Sequence, residues 1–305
     1  MGQSLKDQVV LVTGAGRGIG RAIALLAASE GASVVVNDLG VTTDGRPEQA
    51  APPAEQVVQE IRAAGGKAVA NGGNICQVDA AQAMVQQAIA EFGRLDAVVN
   101  NAGFLRDAIF HKMKLEDWQA VQDVHLTGYF NVSRAAAEHF RETGRGRFVH
   151  FSSGSGVIGN VGQANYQAAK MGVVGLSKAI ALDMQRFGVR SNVIVPFAWS
   201  RLVGTVPTEK EEDRRRIDRM RAMTPEKVAP LVVFLCSDLS DGVTGQIFGA
   251  RQNEMFLFSQ PRPIRSVHRS EGWTPATLAE QMLPAMKASF YPLDRSADIF
   301  SWDPI

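Results

Sequence analysis

A tyrosine and a lysine stand four residues apart, Tyr166 and Lys170, at the end of F-S-S-G-S-G-V-I-G-N-V-G-Q-A-N-Y-Q-A-A-K (151–170). On a helix that spacing sets both side chains on one face, a turn apart. A free phenol has a pKa near ~10 and is a poor base at neutral pH. A fixed ammonium beside it would favour the phenolate and bring its proton into use. Ser153 lies thirteen residues before Tyr166, just after Phe148-Val149-His150-Phe151, which reads as a buried strand. Strand, hydroxyl, glycine-rich loop and helix would bring Ser153 and Tyr166 over one substrate oxygen. The spacing Y-x-x-x-K also arises by chance with a tyrosine that merely packs, so the rest of the chain must decide.

A second chemistry is written near the start. The apolar run at 9–12 (V-V-L-V) enters T-G-A-G-R-G-I-G (13–20), and helically spaced apolar residues follow from Ala22 to Ala27. Gly14, Gly18 and Gly20 would allow a tight turn, backbone approach to a pyrophosphate and close helix–strand packing. The helix start, with Arg17 and Ile19, would offer free N–H groups and a positive dipole end to phosphates. A second strand (33–37) ends at Asp38, about twenty residues beyond the glycines, where a carboxylate would accept the adenosine ribose hydroxyls. Asp38 would repel a 2′-phosphate and favours NAD. Arg17 could pair such a phosphate, so NADP stays possible.

The elements that must position these groups alternate along the chain. A polar, turn-rich loop at 40–53 is a possible rim to the adenosine pocket. A helix at 54–64, a strand at 67–71, a helix at 80–92 and a strand at 95–99 follow, with Asn74 and Ile75 placed to meet an adenine. A long helix is expected over 115–140, bent near Gly128, then strands at 148–152 and 191–195, the latter ended by Pro196. The charged stretch 203–224 reads as a solvated helix face or as a mobile substrate lid. Pro225 starts a helix through Cys236, and 245–249 reads as the last strand. Such alternation predicts an α/β fold: a Rossmann-type, doubly wound parallel sheet with ligands at the carboxyl ends of its strands.

Composition narrows the partners. A chain of 305 residues, 45% hydrophobic and 21% charged, can bury a full core as a soluble protein. A net charge of +1 gives no reason to expect nucleic acid. No apolar run approaches a membrane span, and the N-terminus enters a strand without a signal peptide. The two cysteines, Cys76 and Cys236, read as reduced core residues of a cytoplasmic protein. No metal is called for.

Together these pieces closely resemble the short-chain dehydrogenase/reductase family over roughly residues 5–250. The motifs that carry the likeness are T-G-A-G-R-G-I-G (13–20), N-N-A-G (100–103), the serine and Y-x-x-x-K set (153–170) and V-T-G-Q (243–246). Four further segments, at 34–40, 65–71, 100–107 and 159–166, are most similar to one branch. That branch is the (3R)-hydroxyacyl-CoA dehydrogenase unit of peroxisomal multifunctional enzyme type 2, with its bacterial relatives. 3-Oxoacyl-carrier-protein reductases share G-Q-A-N-Y (162–166).

The resemblance implies a mechanism. Ser153 would hydrogen-bond the substrate oxygen, and Tyr166 would take or give its proton. Lys170 would bind the nicotinamide ribose and lower the tyrosine pKa. Asn101, Ala102, Gly103 and Pro196 would border the cofactor with Tyr166 and Lys170. The implied activity is hydride transfer between NAD(P) and a secondary alcohol or ketone, with a (3R)-3-hydroxyacyl or 3-oxoacyl thioester favoured as substrate. A hydroxysteroid or other hydrophobic alcohol is the alternative. A non-catalytic dinucleotide sensor is the reading from another class, and the intact Ser153, Tyr166 and Lys170 set argues against it. The family likeness also implies a homo-oligomer, dimer or tetramer, through the helix bearing Tyr166 and the preceding long helix, where Ala168, Ala169, Met171, Val173 and Val174 suit close packing.

The chain departs from the family pattern in three places. His125 stands in V-H-L-T-G (124–128) where many members carry asparagine, and the multifunctional branch resembles this chain in having histidine there. It could hold a water beside Lys170, tune it by titration, or be a structural histidine bonded to backbone. After the sixth strand, P-F-A-W-S-R (196–201) replaces the usual Pro-Gly, so Phe197 and Trp199 would narrow or line the nicotinamide end, and Arg201 would face solvent or pair a CoA phosphate. The third departure is an aromatic extension, 251–305, beyond a dehydrogenase domain of residues 1–250. Trp273-Thr274-Pro275 with Leu278, Met282, Leu283 and Met286 reads as a capped amphipathic helix that packs on the core or on a neighbouring subunit.

Overall fold

The computed structural model describes residues 3–46, 52–198 and 221–304. Strand β1 (Val9–Thr13) is buried along its whole length, as a continuous Val/Leu run must be when both sheet faces are covered. Helix α1 (Gly18–Ser29) follows, then β2 (Ser33–Asn37), α2 (Pro53–Ala63), β3 (Lys67–Asn71), α3 (Val78–Phe92) and β4 (Ala97–Asn100). The second half supplies α4 (Leu115–Gln122), α5 (Gly128–Thr143), β5 (Gly146–Phe151), the single turn α6 (Gly154–Val157), α7 (Ala164–Met184), β6 (Val189–Phe197), α8 (Ala229–Cys236), β7 (Ile247–Arg251) and β8 (Glu254–Leu257).

The strands form one sheet in the order β3-β2-β1-β4-β5-β6-β7-β8. Pairing is parallel as far as β7, and β8 returns antiparallel. Strand order reverses between β1 and β4, which opens a crevice at the carboxyl ends of those strands. Side chains alternate across the sheet. Val10, Val12, Val34 and Val36 pack under α1, α2 and α8, whereas Leu11, Val35 and Val98 pack with α3, α5 and α7. This is the expected fold class.

Several elements differ from the sequence reading. The long helix expected over 115–140 is interrupted by a π-helical turn, Asp123–Thr127, which accommodates an extra residue just before Gly128 and carries His125. Pro196 does not end β6; it pairs with Ala250 of β7, and the strand runs on to Phe197. The reason lies in the alternation of backbone groups. Val193 N–H bonds Gln246 O on the β7 side, while Ile194 O accepts from Ser152 N on the β5 side. The ring nitrogen of Pro196 therefore faces the β5 side, where pairing has stopped at Phe151 and Ile194. β7 is not the last strand either: Gln252, with φ 53°, turns the chain into β8.

Two of the five small residues expected on an oligomer face, Ala169 and Val173, are instead buried in the chain's own core. Ala168, Met171 and Leu182 on α7 and Phe130 on α5 are the exposed ones. Residues 199–220, which hold Trp199, Arg201 and nearly all of the charged stretch, lie outside the described residues. The aromatic extension behaves unevenly. Thr274 caps the expected helix with a capping box and Pro275 at its first turn, yet no residue in 252–304 is buried. Both ends of the extension touch the rest of the domain: Phe258 packs against Val193, Val195 and Ile247, and Gln260 Nε2 donates to Gly245 O at 2.6 Å. Phe300 packs on Phe197 and Phe256, with ring centroids 4.5 and 5.2 Å apart. Ser296 N–H bonds Gly159 O at 2.9 Å.

Candidate active site

The turn after β1 shows why its glycines are needed. Gly14 and Gly18 have φ of +63° and +54°, a backbone region other residues avoid. A Cβ on Gly20 would run into Gly14 O, so α1 can close on the loop only with glycine there. Gly16, not singled out from the sequence, is equally constrained: its Cβ would lie 2.8 Å from Asp38 Oδ2. The same carboxylate accepts Gly16 N–H at 2.9 Å and Gly40 N–H at 2.8 Å. Asp38 therefore ties the end of β2 to the glycine turn as well as facing the crevice.

The N-N-A-G segment braces this turn from the other side of the reversal point. Asn101 Nδ2 donates to Thr13 O and Gly14 O, both at 3.0 Å. Thr13 Oγ1 accepts the N–H groups of Asn101 (3.1 Å) and Ala102 (3.2 Å). Asn101 thus acts on the loop backbone. Asn74 turns Oδ1 to Cys76 N–H at 3.0 Å, and the side chain of Ile75 would touch any Cβ placed on Gly128.

The catalytic candidates converge at the ends of β5 and α7. Ser153 caps α6, its Oγ accepting Ser155 N–H at 3.1 Å. The start of α7 is clamped to the segment after N-N-A-G. Asn165 Nδ2 donates to Arg106 O and Asp117 O, Asn165 Oδ1 accepts Tyr166 N–H at 2.8 Å, and Gln163 Nε2 reaches Asp107 Oδ2 at 2.9 Å. Two of the segments that carried the family likeness, 100–107 and 159–166, are thus hydrogen-bonded to each other. Lys170, one turn beyond Tyr166, is buried and donates to Phe151 O at 2.6 Å and to the Tyr129 phenol at 3.1 Å.

Burial sets the protonation of this group. Desolvation pushes the Tyr166 phenol up to about 12, against the lowering hydrogen bond from Ser153 and with a smaller raising effect of Asp107. Desolvation brings Lys170 down to about 7. The sequence reading expected the ammonium to hold Tyr166 down. In the structure Lys170 Nζ sits 5.6 Å from the centre of the Tyr166 ring and bonds to other oxygens, so the protein's own groups keep Tyr166 a phenol.

His125 is buried in the π-turn, with Nε2 bonded to the backbone of Phe104 at 2.7 Å from its oxygen. Its ring stands edge-on to Tyr166 at 5.1 Å. Desolvation, then the Lys170 charge, hold its pKa well below the ordinary value, so the ring is neutral. Nδ1 has no partner among the described residues. Backbone bonding, one of the readings left open, describes one nitrogen; the other is without a partner beside the site among the described residues.

Of the site residues expected from the sequence, all but Gly20 line one cavity of about 880 Å³. At one end stand Gly14, Arg17, Gly18, Ile19, Asp38, Asn74 and Ile75; at the other, Ser153, Tyr166, Lys170, His125 and Pro196, with Asn101, Ala102 and Gly103 between. The loop after β2 supplies the rim through Val41, Thr42, Thr43 and Gly45, held by Leu105 N–H to Thr43 O at 3.2 Å. A glycine cradle at a helix start, a carboxylate at the end of β2 and a remote Ser/Tyr/Lys group fit an extended dinucleotide. The family profile described as Enoyl-(Acyl carrier protein) reductase matches residues 14–250.

The chain belongs to the short-chain dehydrogenase/reductase family.

Among its relatives, a short-chain type dehydrogenase/reductase of Mycobacterium tuberculosis is 46% identical over 234 residues, 77% of this chain and 79% of that protein. Peroxisomal multifunctional enzyme type 2 of Mus musculus is 47% identical over 231 residues, 76% of this chain but 30% of the mouse protein. A 3-oxoacyl-[acyl-carrier-protein] reductase of Synechocystis is 39% identical over 252 residues and matched over 96% of its length. The crystal structure of a short chain dehydrogenase from Mycobacterium avium superposes with a TM-score of 0.82 at 40% identity, covering 95% of this chain and 97% of that one. As a member of this family the chain is an NAD(P)-dependent oxidoreductase.

The sequence reading missed Tyr129, Thr13, Gly16 and the Asp107–Gln163 and Arg106–Asn165 clamp. Only Tyr129 carried a local signal: it follows His125 by four residues, the spacing of one helical face.

Proposed function

We propose that the protein interconverts a (3R)-3-hydroxyacyl thioester and its 3-oxoacyl partner, with NAD preferred over NADP, at Ser153, Tyr166 and Lys170. The observation that carries the reading is the convergence of these three side chains at the far end of the cavity from Asp38. The thioester is supported by the names of relatives at 47% and 39% identity. The nicotinamide, when bound, accepts or supplies the hydride. Ser153 donates its hydroxyl to the substrate oxygen and orients it. Tyr166 gives its proton to that oxygen in reduction and takes it back in oxidation. A phenol held protonated by burial is already suited to the reductive direction. Lys170 places its ammonium under the tyrosine and toward the ribose. Asp38, fixed by two amides, accepts ribose hydroxyls and disfavours a 2′-phosphate, while Arg17 at the helix start keeps NADP accessible.

A cytoplasmic setting fits the two free thiols, whose pKa values burial raises to about 11 for Cys76 and about 12 for Cys236. No helix among the described residues is long and apolar enough to cross a membrane. Association into a dimer or tetramer would cover Phe130, Met171 and Leu182, each of which is exposed in the single chain. Light scattering of the purified protein reads that state directly.

The deciding assay follows the reduced-nicotinamide absorbance band with 3-oxoacyl-CoA, 3-oxo-steroid or 17-oxo-steroid substrates and NADH or NADPH. Thioester turnover with NADH, lowered about 10²–10⁴-fold by Tyr166→Phe, is the expected result. Turnover of steroids alone would remove the thioester and keep the site. Cofactor binding without turnover of any ketone would make the protein a dinucleotide sensor.

A further inference from the structure

We infer that Tyr129 is a positioning residue for Lys170. Its phenol oxygen holds the ammonium from below and ties it to the N-N-A-G wall of the cofactor cleft. The inference rests on the reading of Ser153, Tyr166 and Lys170 as the reacting group. Tyr129 lies at the second position of α5, fully buried, with its hydroxyl donating to Ala102 O at 3.1 Å. The one proton of that hydroxyl is committed to Ala102, so the oxygen can only accept from Lys170 Nζ, also at 3.1 Å. The hydrogen bonds therefore run in a single direction, from Lys170 to Tyr129 to Ala102.

The ring contributes as well. Lys170 Nζ lies 4.8 Å from the Tyr129 ring centre, within the range in which an aromatic face attracts a cation. The ring is in turn stacked against His150 of β5, centroids 6.4 Å apart. With Phe151 O at 2.6 Å as the second acceptor, the ammonium is held between the end of β5 and the start of α5. A flexible four-carbon side chain needs such fixed acceptors to keep its charge in one place.

The chain of bonds ends at a carbonyl, so it does not lead protons away; it sets position and charge. The titratable groups that face this pair are His125 from the π-turn, His150 from β5 and Tyr166 from α7, with Asp107 acting on Tyr166 from beyond it. Burial holds both histidines neutral, and desolvation followed by Tyr166 holds the Tyr129 phenol well above its ordinary value. None of these three changes charge near neutral pH, which leaves Lys170 as the group whose ionisation Tyr129 can bias.

Tyr129→Phe removes one oxygen and keeps the ring, so it separates the hydrogen bond from the packing. Removing an acceptor from an ammonium makes its charged form less favourable, so the alkaline limb of kcat/KM should move down by about one pH unit. NADH binding should weaken about tenfold in Tyr129→Phe and should not weaken further when the change is made on a Lys170→Met background. Calorimetric NADH titrations of the four proteins give this cycle without any turnover, and circular dichroism verifies that each is folded. An unchanged pH profile with a lower melting temperature would make Tyr129 a packing residue only and overturn the inference. Full additivity of the two substitutions in NADH binding would do the same. Should Tyr166→Phe and Lys170→Met both retain normal turnover, the underlying site reading fails, a result distinct from a silent Tyr129→Phe.

Discussion

The carboxylate of Asp38 is joined to the amide of Gly16 across 2.9 Å, so the residue proposed to meet the ribose is also a strut of the glycine turn. Its other oxygen accepts Gly40 N–H at 2.8 Å. If Asp38 selects the cofactor as proposed, cofactor choice and loop shape are coupled at one side chain.

That coupling predicts the outcome of Asp38→Asn. The negative charge that opposes a 2′-phosphate is lost, and one of two N–H groups meets an amide in place of a carboxylate. The ratio of kcat/KM for NADH over NADPH should fall by about tenfold or more, a difference of ~1.4 kcal/mol. Steady-state rates with each cofactor test this, and an unchanged ratio would assign cofactor choice elsewhere in the cavity.

At Gly103 the limiting contact is with the His125 ring, which a Cβ would overlap. The ring cannot retreat freely, being bonded to Phe104 at 2.7 Å and packed edge-on to Tyr166 at 5.1 Å. Gly103→Ala should cost ~1–3 kcal/mol of overpacking. Thermal unfolding should register it as a lower melting temperature, and kcat should drop with it because the displaced ring bears on Tyr166. A variant that keeps both would mean that the histidine has room to move.

Lys170 makes a prediction about pH. Its pKa is lowered by burial from 10.5 to about 7, so between these values the unfolded chain binds more protons here than the folded one. Stability contributed by this group accordingly rises with pH across that window, and below pH 7 the full cost of burying an ammonium is present. Lys170→Met should abolish turnover yet raise the melting temperature, most at about pH 6 and progressively less toward about pH 9. A stabilisation that grows with pH would contradict this assignment.

Phe300, near the end of the aromatic extension, packs against Phe197 at 4.5 Å between ring centres, and Phe197 borders Gly154 in the loop after Ser153. Ser296 would meet a Cβ placed on Gly154, the residue after that serine. Phe300→Ala should lose ~1–2 kcal/mol from a half-buried ring. Loosening the contact should also raise KM for the acyl substrate more than it lowers kcat. Equal KM values in the two proteins would show that the end of the chain does not govern access to the site.

What could be read from the linear chain was whatever depends on near neighbours. Continuous Val and Leu runs mark strands buried on both faces, glycines at 14, 18 and 20 mark the turn, and a four-residue spacing puts Tyr166 and Lys170 on one helix face. Proline was misjudged at 196 because its effect depends on which way the absent N–H points, and that is decided by where β5 stops. The expected oligomer face was partly wrong for a similar reason: Ala169 and Val173 are small in any setting, and only the placement of α7 over the sheet turned them inward.

Identity and spacing alone therefore determined the fold class, the glycine turn after β1 and the choice of Ser153, Tyr166 and Lys170 as candidates. Tertiary structure decided their state. Asn101 reaches Gly14 across 87 residues and Tyr129 reaches Lys170 across 41, pairings that no local pattern encodes. Desolvation, which holds Tyr166 protonated and Lys170 near neutrality, is set by everything packed around a group, and that exists only once the chain has closed on itself.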